Sequence, residues 1–174
     1  MHKSYILTFI GKDRPGLVKR LSTLIAGLDG SWQQSQMSRL AGQFAGVVEI
    51  RLPEAQADPL EQALAELQND GISVQLTAGS GEDSDSGRQL GLTLIGPDRN
   101  GIISELSSAL ADHHINLVHL ETMVSSAPMS AEALFEAEAE AQAPTGLDVN
   151  ELQDILDKVS DRVGVDISLV ERLS

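Results

Sequence analysis

Cysteine is absent from all 174 residues. That excludes disulfides, thiol nucleophiles and Cys-based metal sites, and it fits a reducing compartment. Aromatic residues make up only 3% of the chain, so any core must be built from Leu, Ile, Val and Ala. Positive charge is scarce, with 12 Lys and Arg against 26 Asp and Glu and a net charge of −14. Direct nucleic-acid binding wants the opposite sign, because Lys and Arg must displace counterions from phosphates. Long apolar runs are missing as well. The run after Lys3 ends at Gly11, Lys12 and Asp13, short of a signal-peptide core or a membrane span. A cytoplasmic protein without membrane contact is therefore expected.

What is present is a globular composition, 41% hydrophobic, and an internal repeat. Shifting the chain by 85 residues lays Leu7–Gly16 on Leu92–Gly101, and ten of the twenty positions in 7–26 and 92–111 are identical. The identities include Asp13, Arg14 and Gly16 with Asp98, Arg99 and Gly101, and Leu17 falls on Ile102. Between the copies, residues 80–88 are rich in Gly, Ser and acid with no apolar period, and read as a flexible linker. The expected organisation is thus a first domain over 1–79, the linker over 80–88 and a second domain over 89–174. Each copy is near the lower size limit for an independent core, and a homo-oligomer is expected. The copies differ electrostatically. Residues 1–79 carry 7 basic and 8 acidic groups, whereas residues 89–174 carry 4 and 15.

Both copies show one order of elements. A β-branched and aromatic run over 4–10 predicts a strand, with Tyr5, Leu7 and Phe9 on one side and Ile6, Thr8 and Ile10 on the other. After the Gly11–Gly16 loop, Leu17, Val18, Leu21, Leu24, Ile25 and Leu28 recur at helical spacing. Pro15 suits the first helical position. Strands over 31–39 and 44–52, a helix opened by Asp58-Pro59 and closed by Asn69-Asp70-Gly71, and a strand at 72–76 complete the unit. The second copy repeats this with a strand at 90–95, a helix at 101–113 and a strand at 115–124. Leu152, Ile155, Leu156 and Val159 line its second helix, and Val165, Ile167 and Leu169 alternate in its last strand. The order βαββαβ is the ferredoxin-like split βαβ arrangement, so the fold class is α+β. Glu132–Glu140 is rich in helix formers, yet the repeat places it on the third strand, and strand is the expectation here.

The strand-loop-helix around Asp13-Arg14-Pro15-Gly16, recurring as Asp98-Arg99-Asn100-Gly101, resembles the ACT domain. Two such domains with no catalytic domain resemble the glycine cleavage system transcriptional repressor family. That resemblance implies a double-ACT protein that senses glycine and restrains a separate DNA-binding transcription factor through protein contact. No helix-turn-helix is evident here. Asn100 departs from the pattern, standing where the first motif has Pro15, and implies a looser second loop and two sites that need not bind equally.

Chemically, a helix start leaves backbone N–H groups unpaired and carries partial positive charge. These donors suit a ligand carboxylate, and Gly16 and Gly101 leave room for close approach. Asp13 and Asp98 can accept from a ligand ammonium, so a zwitterion would be matched at both ends. The same Asp is also a good turn and cap residue, and both readings stand at this point. Arg14 and Arg99 are expected to brace the loop or an acidic neighbour. ACT sites resemble this arrangement with a further contribution from the start of strand two, often across a domain interface; here those positions are Ser31 and Asn116. Asn116, which can both donate and accept, is the better candidate. Glycine is the favoured ligand, with Leu17 and Ile102 excluding larger side chains. The candidate set is therefore Asp13, Arg14, Gly16, Leu17, Ser31, Asp98, Arg99, Gly101, Ile102 and Asn116.

Other chemistry is poorly supplied. His114 and His119 could join Glu121 on a metal, but their spacing matches no strong motif. The carboxylates of Glu132–Glu140 lack the calcium-loop pattern and read as surface that would attract a basic partner. Ser22-Thr23 and Ser107-Ser108 have no adjacent His, and the linker lacks the Lys-Ser/Thr of a phosphate loop. Trp32 is read as core or interface packing. Neither a cofactor nor an enzymatic activity is expected.

Overall fold

The computed structural model describes residues 1–80, 87–126 and 132–170. The chain divides into two compact units, Met1–Asp83 and Ser84–Ser174. Most of the linker expected over 80–88 lies outside the described residues.

The first unit runs β1 (His2–Lys12), α1 (Leu17–Gly27), β2 (Ser31–Leu40), β3 (Gln43–Pro53), a 3-10 turn at Glu54–Gln56, α2 (Ala57–Gln68) and β4 (Ile72–Ala78). The second runs β5 (Arg88–Pro97), α3 (Ile102–Asp112), β6 (Asn116–Ser126), β7 (Ala133–Ala143), α4 (Val149–Val163) and β8 (Asp166–Val170). Each is a four-stranded antiparallel sheet, ordered β2-β3-β1-β4 and β6-β7-β5-β8. This is the ferredoxin-like arrangement, twice.

Period-2 alternation sorts each sheet into two faces. In the first unit Tyr5, Leu7 and Phe9 sit beside Ile50, Val48 and Gly46 of β3. They are buried with Leu17, Leu21 and Ile25 of α1 and Leu60, Leu64 and Leu67 of α2. Trp32 packs partly buried against this cluster. In the second unit Leu92 lies between Ala139 and Leu169, and Leu94 between Ala137 and Ile167.

The contested segment is strand. Ala137, Ala139, Ala141 and Ala143 are at most 5% exposed, against α3 and α4. Glu136, Glu138 and Glu140 point to the opposite face. Pairing with two neighbours and burial of the alanine row override the helical propensity of a Glu/Ala tract.

One local expectation is corrected. Helix α1 begins at Leu17 with Gly16 as its N-cap, so Pro15 lies ahead of the helix. Gly16 is left-handed, with φ 93°. That turns the chain sharply before the first helical residue, and a proline ring is accommodated only upstream of the turn.

Candidate functional site

The loops Asp13–Gly16 and Asp98–Gly101 superpose in kind. Gly16 (φ 93°, ψ −1°) and Gly101 (φ 94°, ψ −3°) each cap a helix with no side-chain hydrogen bond. The reading of Asp13 and Asp98 as helix caps is therefore set aside. Glycine is required because an L side chain at such φ is strained. The first intrahelical bonds run from Arg20 N–H to the Gly16 carbonyl and from Glu105 N–H to the Gly101 carbonyl, both 2.9 Å. The helix N–H groups before these, at 17–19 and 102–104, have no intrahelical acceptor.

Each loop is pinned on two sides. The Asp13 N–H donates to the Gly42 carbonyl at 3.1 Å, and the Asp98 N–H to the Ala133 carbonyl at 2.9 Å. Arg14 Nη2 donates to the Asp70 carbonyl, just beyond α2, at 2.7 Å. Arg99 does the corresponding work at the end of α4. Its Nε donates to the Val163 carbonyl at 2.7 Å and its Nη2 to the Arg162 carbonyl at 3.1 Å. Its Nη1 donates to the Asn100 carbonyl at 2.9 Å and to Glu105 Oε1 at 3.0 Å. The Arg162 and Val163 carbonyls are acceptors that a helix end leaves open, and Asp70 lies in the turn that follows α2. Both arginines thus have the geometry of braces. In the second loop, where Asn100 stands in place of Pro15, Arg99 supplies the larger share of the bracing.

The acidic partners differ. Asp13 Oδ2 accepts from Arg39 Nη1 at 3.3 Å. Among the described residues no cation pairs with Asp98. Arg20 bonds Asp70, and this hydrogen bond, helped by the charge of Arg14, holds the Asp70 carboxyl below its ordinary value.

Other candidates fall elsewhere. Leu17 and Ile102 are 3% and 2% exposed and belong to the two cores. They anchor the helix starts, and their placement does not support the size-exclusion role. Ser31 pairs with Arg51, which pairs with Ser4 at the far end of β1. Asn116 pairs with Gln142, which pairs with Gln89 at the far end of β5. At strand rise this puts each about 26 Å from the loop of its own unit. Within one unit the loop and the strand-two start do not converge. Both Ser31 and Asn116 are exposed, and the Ser31 hydroxyl accepts from Gln33 Nε2 at 2.8 Å.

Arg39, Asp70 and Glu105 were missed. Arg39 and Asp70 reach the first loop only through tertiary structure. Glu105 left a readable signal, because the 85-residue shift sets it on Arg20. His119 Nε2 lies 3.6 Å from Glu121 Oε1, but among the described residues no group of three His, Asp or Glu is placed to hold a metal ion. Among the same residues no helix is long and apolar enough to cross a membrane.

This geometry, twice over, defines the class of protein. Models of the ACT domain match residues 4–77 and 92–157, and the chain belongs to the ACT-domain family as a tandem pair. Its structure is similar to that of an unknown protein from Galdieria sulphuraria, with 29% identity, 99% of this chain and 100% of that one covered, and TM-score 0.86. It is also similar to a proposed glycine cleavage system transcriptional repressor, with 17% identity, 99% of each chain covered and TM-score 0.75. At that identity the second likeness concerns the fold. A search of curated proteins returned no match.

Proposed function

We propose that this chain is a non-enzymatic regulator that binds a small amino acid, glycine by preference, and acts on transcription through a DNA-binding protein partner in the cytoplasm. The observation that carries the reading is the duplicated loop. Each copy offers backbone N–H groups without intrahelical acceptors at a helix start, a side-chain-free Gly, and an exposed Asp three residues earlier. Donors meet the carboxylate of a zwitterion and the Asp meets its ammonium. Ser31 and Asn116 stand too far from the loop of their own unit, so they contribute only where two units abut. A homo-oligomer would supply that junction. The family membership and the repressor-like fold support a regulatory role. Ligand binding alters partner affinity only if it favours one state over another.

Isothermal titration with glycine, serine and alanine tests this. Heat with glycine, lost in the Asp13→Ala, Asp98→Ala double variant, is the expected result. No heat with any amino acid would reject it.

A ligand-independent scaffold is favoured by one observation. The face of the second sheet away from its helices gathers Glu121, Glu136, Glu138 and Glu140. Partner capture that is indifferent to amino acids would select that reading.

A further inference from the structure

The repeat that pairs the two loops also reverses a charge between them. Residues 12–20 carry four basic groups and one acidic group, whereas residues 97–105 carry one basic and two acidic. At the position one turn into each helix stands Arg20 in α1 and Glu105 in α3, related by the 85-residue shift.

The side chains act on this difference. Helix α1 has no acidic residue in its first turn. Arg14 and Arg20 converge on Asp70 beside it, and apart from its chain neighbours nothing described lies within 4 Å of the place a Gly16 Cβ would occupy. Helix α3 carries Glu105 in its first turn. The Glu105 carboxylate folds back to Arg99 at 3.0 Å. Its Oε1 also lies 3.5 Å from the place a Gly101 Cβ would occupy. An anion there satisfies the positive end of the helix from within. A ligand carboxylate at Gly101 would meet Glu105, and Arg99, whose Nη1 lies 3.7 Å from the same place, is already committed to four acceptors.

We infer that the two loops are unequal. The loop of the first unit is the primary carboxylate-accepting site, and Glu105 is the residue that weakens the second by occupying its helix start. This rests on the reading of the loops as amino-acid sites.

The test is an NMR titration of the full chain with glycine, following the Gly16 and Gly101 amides separately. The Gly16 midpoint should lie at lower glycine concentration, by on the order of fivefold, the scale of one charge reversal beside a helix N-terminus in water. Glu105→Arg, with Glu105→Gln as the milder variant, should bring the Gly101 midpoint down while leaving that of Gly16 in place. Arg20→Glu should raise the Gly16 midpoint. Coincident midpoints in the unmodified chain, or a Gly101 midpoint unmoved by both Glu105 variants, would overturn the inequality and leave the sensing role standing. Amides that never respond, in any variant, would overturn both.

Discussion

Two arginines at equivalent places work to different degrees. Arg14 makes one hydrogen bond, to a carbonyl in the turn after α2, and Arg99 makes four, two of them to the carbonyls that end α4. A charged donor on an acceptor left open at a helix end contributes more than a neutral pair does. Arg99→Met should therefore destabilise the chain by about 1–3 kcal/mol, and Arg14→Met by less, read from urea denaturation. Asp70 brings a pH dependence to the first loop. Its carboxyl is held below the ordinary value of 3.8 by Arg20. A group depressed in the folded chain stabilises it above the unfolded value and ceases to do so as pH falls through the folded one. The stability gap between the native chain and Asp70→Asn should stay level above about pH 5 and close below the ordinary carboxylate range. A gap that widened in acid would contradict the pairing.

At the scale of elements, each sheet solves one packing problem in its own way. Phe9 lies opposite Gly46, and a Cβ there would stand 2.7 Å from its ring. In the second unit the smaller Leu94 lies opposite Ala137. The glycine of β3 makes room for an aromatic ring that β5 does not have. Gly46→Ala should cost about 1–3 kcal/mol through overpacking, and the Phe9→Leu, Gly46→Ala pair should recover part of it, as equilibrium denaturation would show. Strand β7 illustrates how period decides against propensity. Its Glu and Ala residues favour a helix one by one, but only the strand period puts Ala137, Ala139, Ala141 and Ala143 together on the buried face. The repeat makes that legible in the sequence. The start of α1 was less so, because the left-handed turn at Gly16 displaced Pro15 from the position its own preference suggests.

For the whole molecule, charge separates the units more than fold does. Residues 89–174 hold 15 acidic and 4 basic groups, and residues 1–79 hold 8 and 7. Crowded like charges destabilise a compact state and are screened by salt. Added salt should stabilise the second unit more than the first. Trp32, the single tryptophan, packs against the first unit's core, so its fluorescence follows that unit while far-ultraviolet circular dichroism follows both. Raising salt should shift the circular dichroism transition upward while the Trp32 transition changes little. Glycine, if it binds the native chain alone, should raise stability by about 2.7 kcal/mol at a hundredfold excess over Kd.

Fold and family were written in local patterns: alternation, helical spacing, and a motif repeated at one interval. Such signals survive in sequence because each reflects neighbouring residues meeting one face or one turn. The loops as candidate sites were legible for the same reason. What the tertiary structure alone decided are the contacts between distant residues. Arg39 reaches Asp13, Asp70 receives two arginines, and Arg99 binds the end of α4 across more than sixty positions. It also set Ser31 and Asn116 at the far ends of their sheets, since antiparallel register is a property of pairing that no single strand contains.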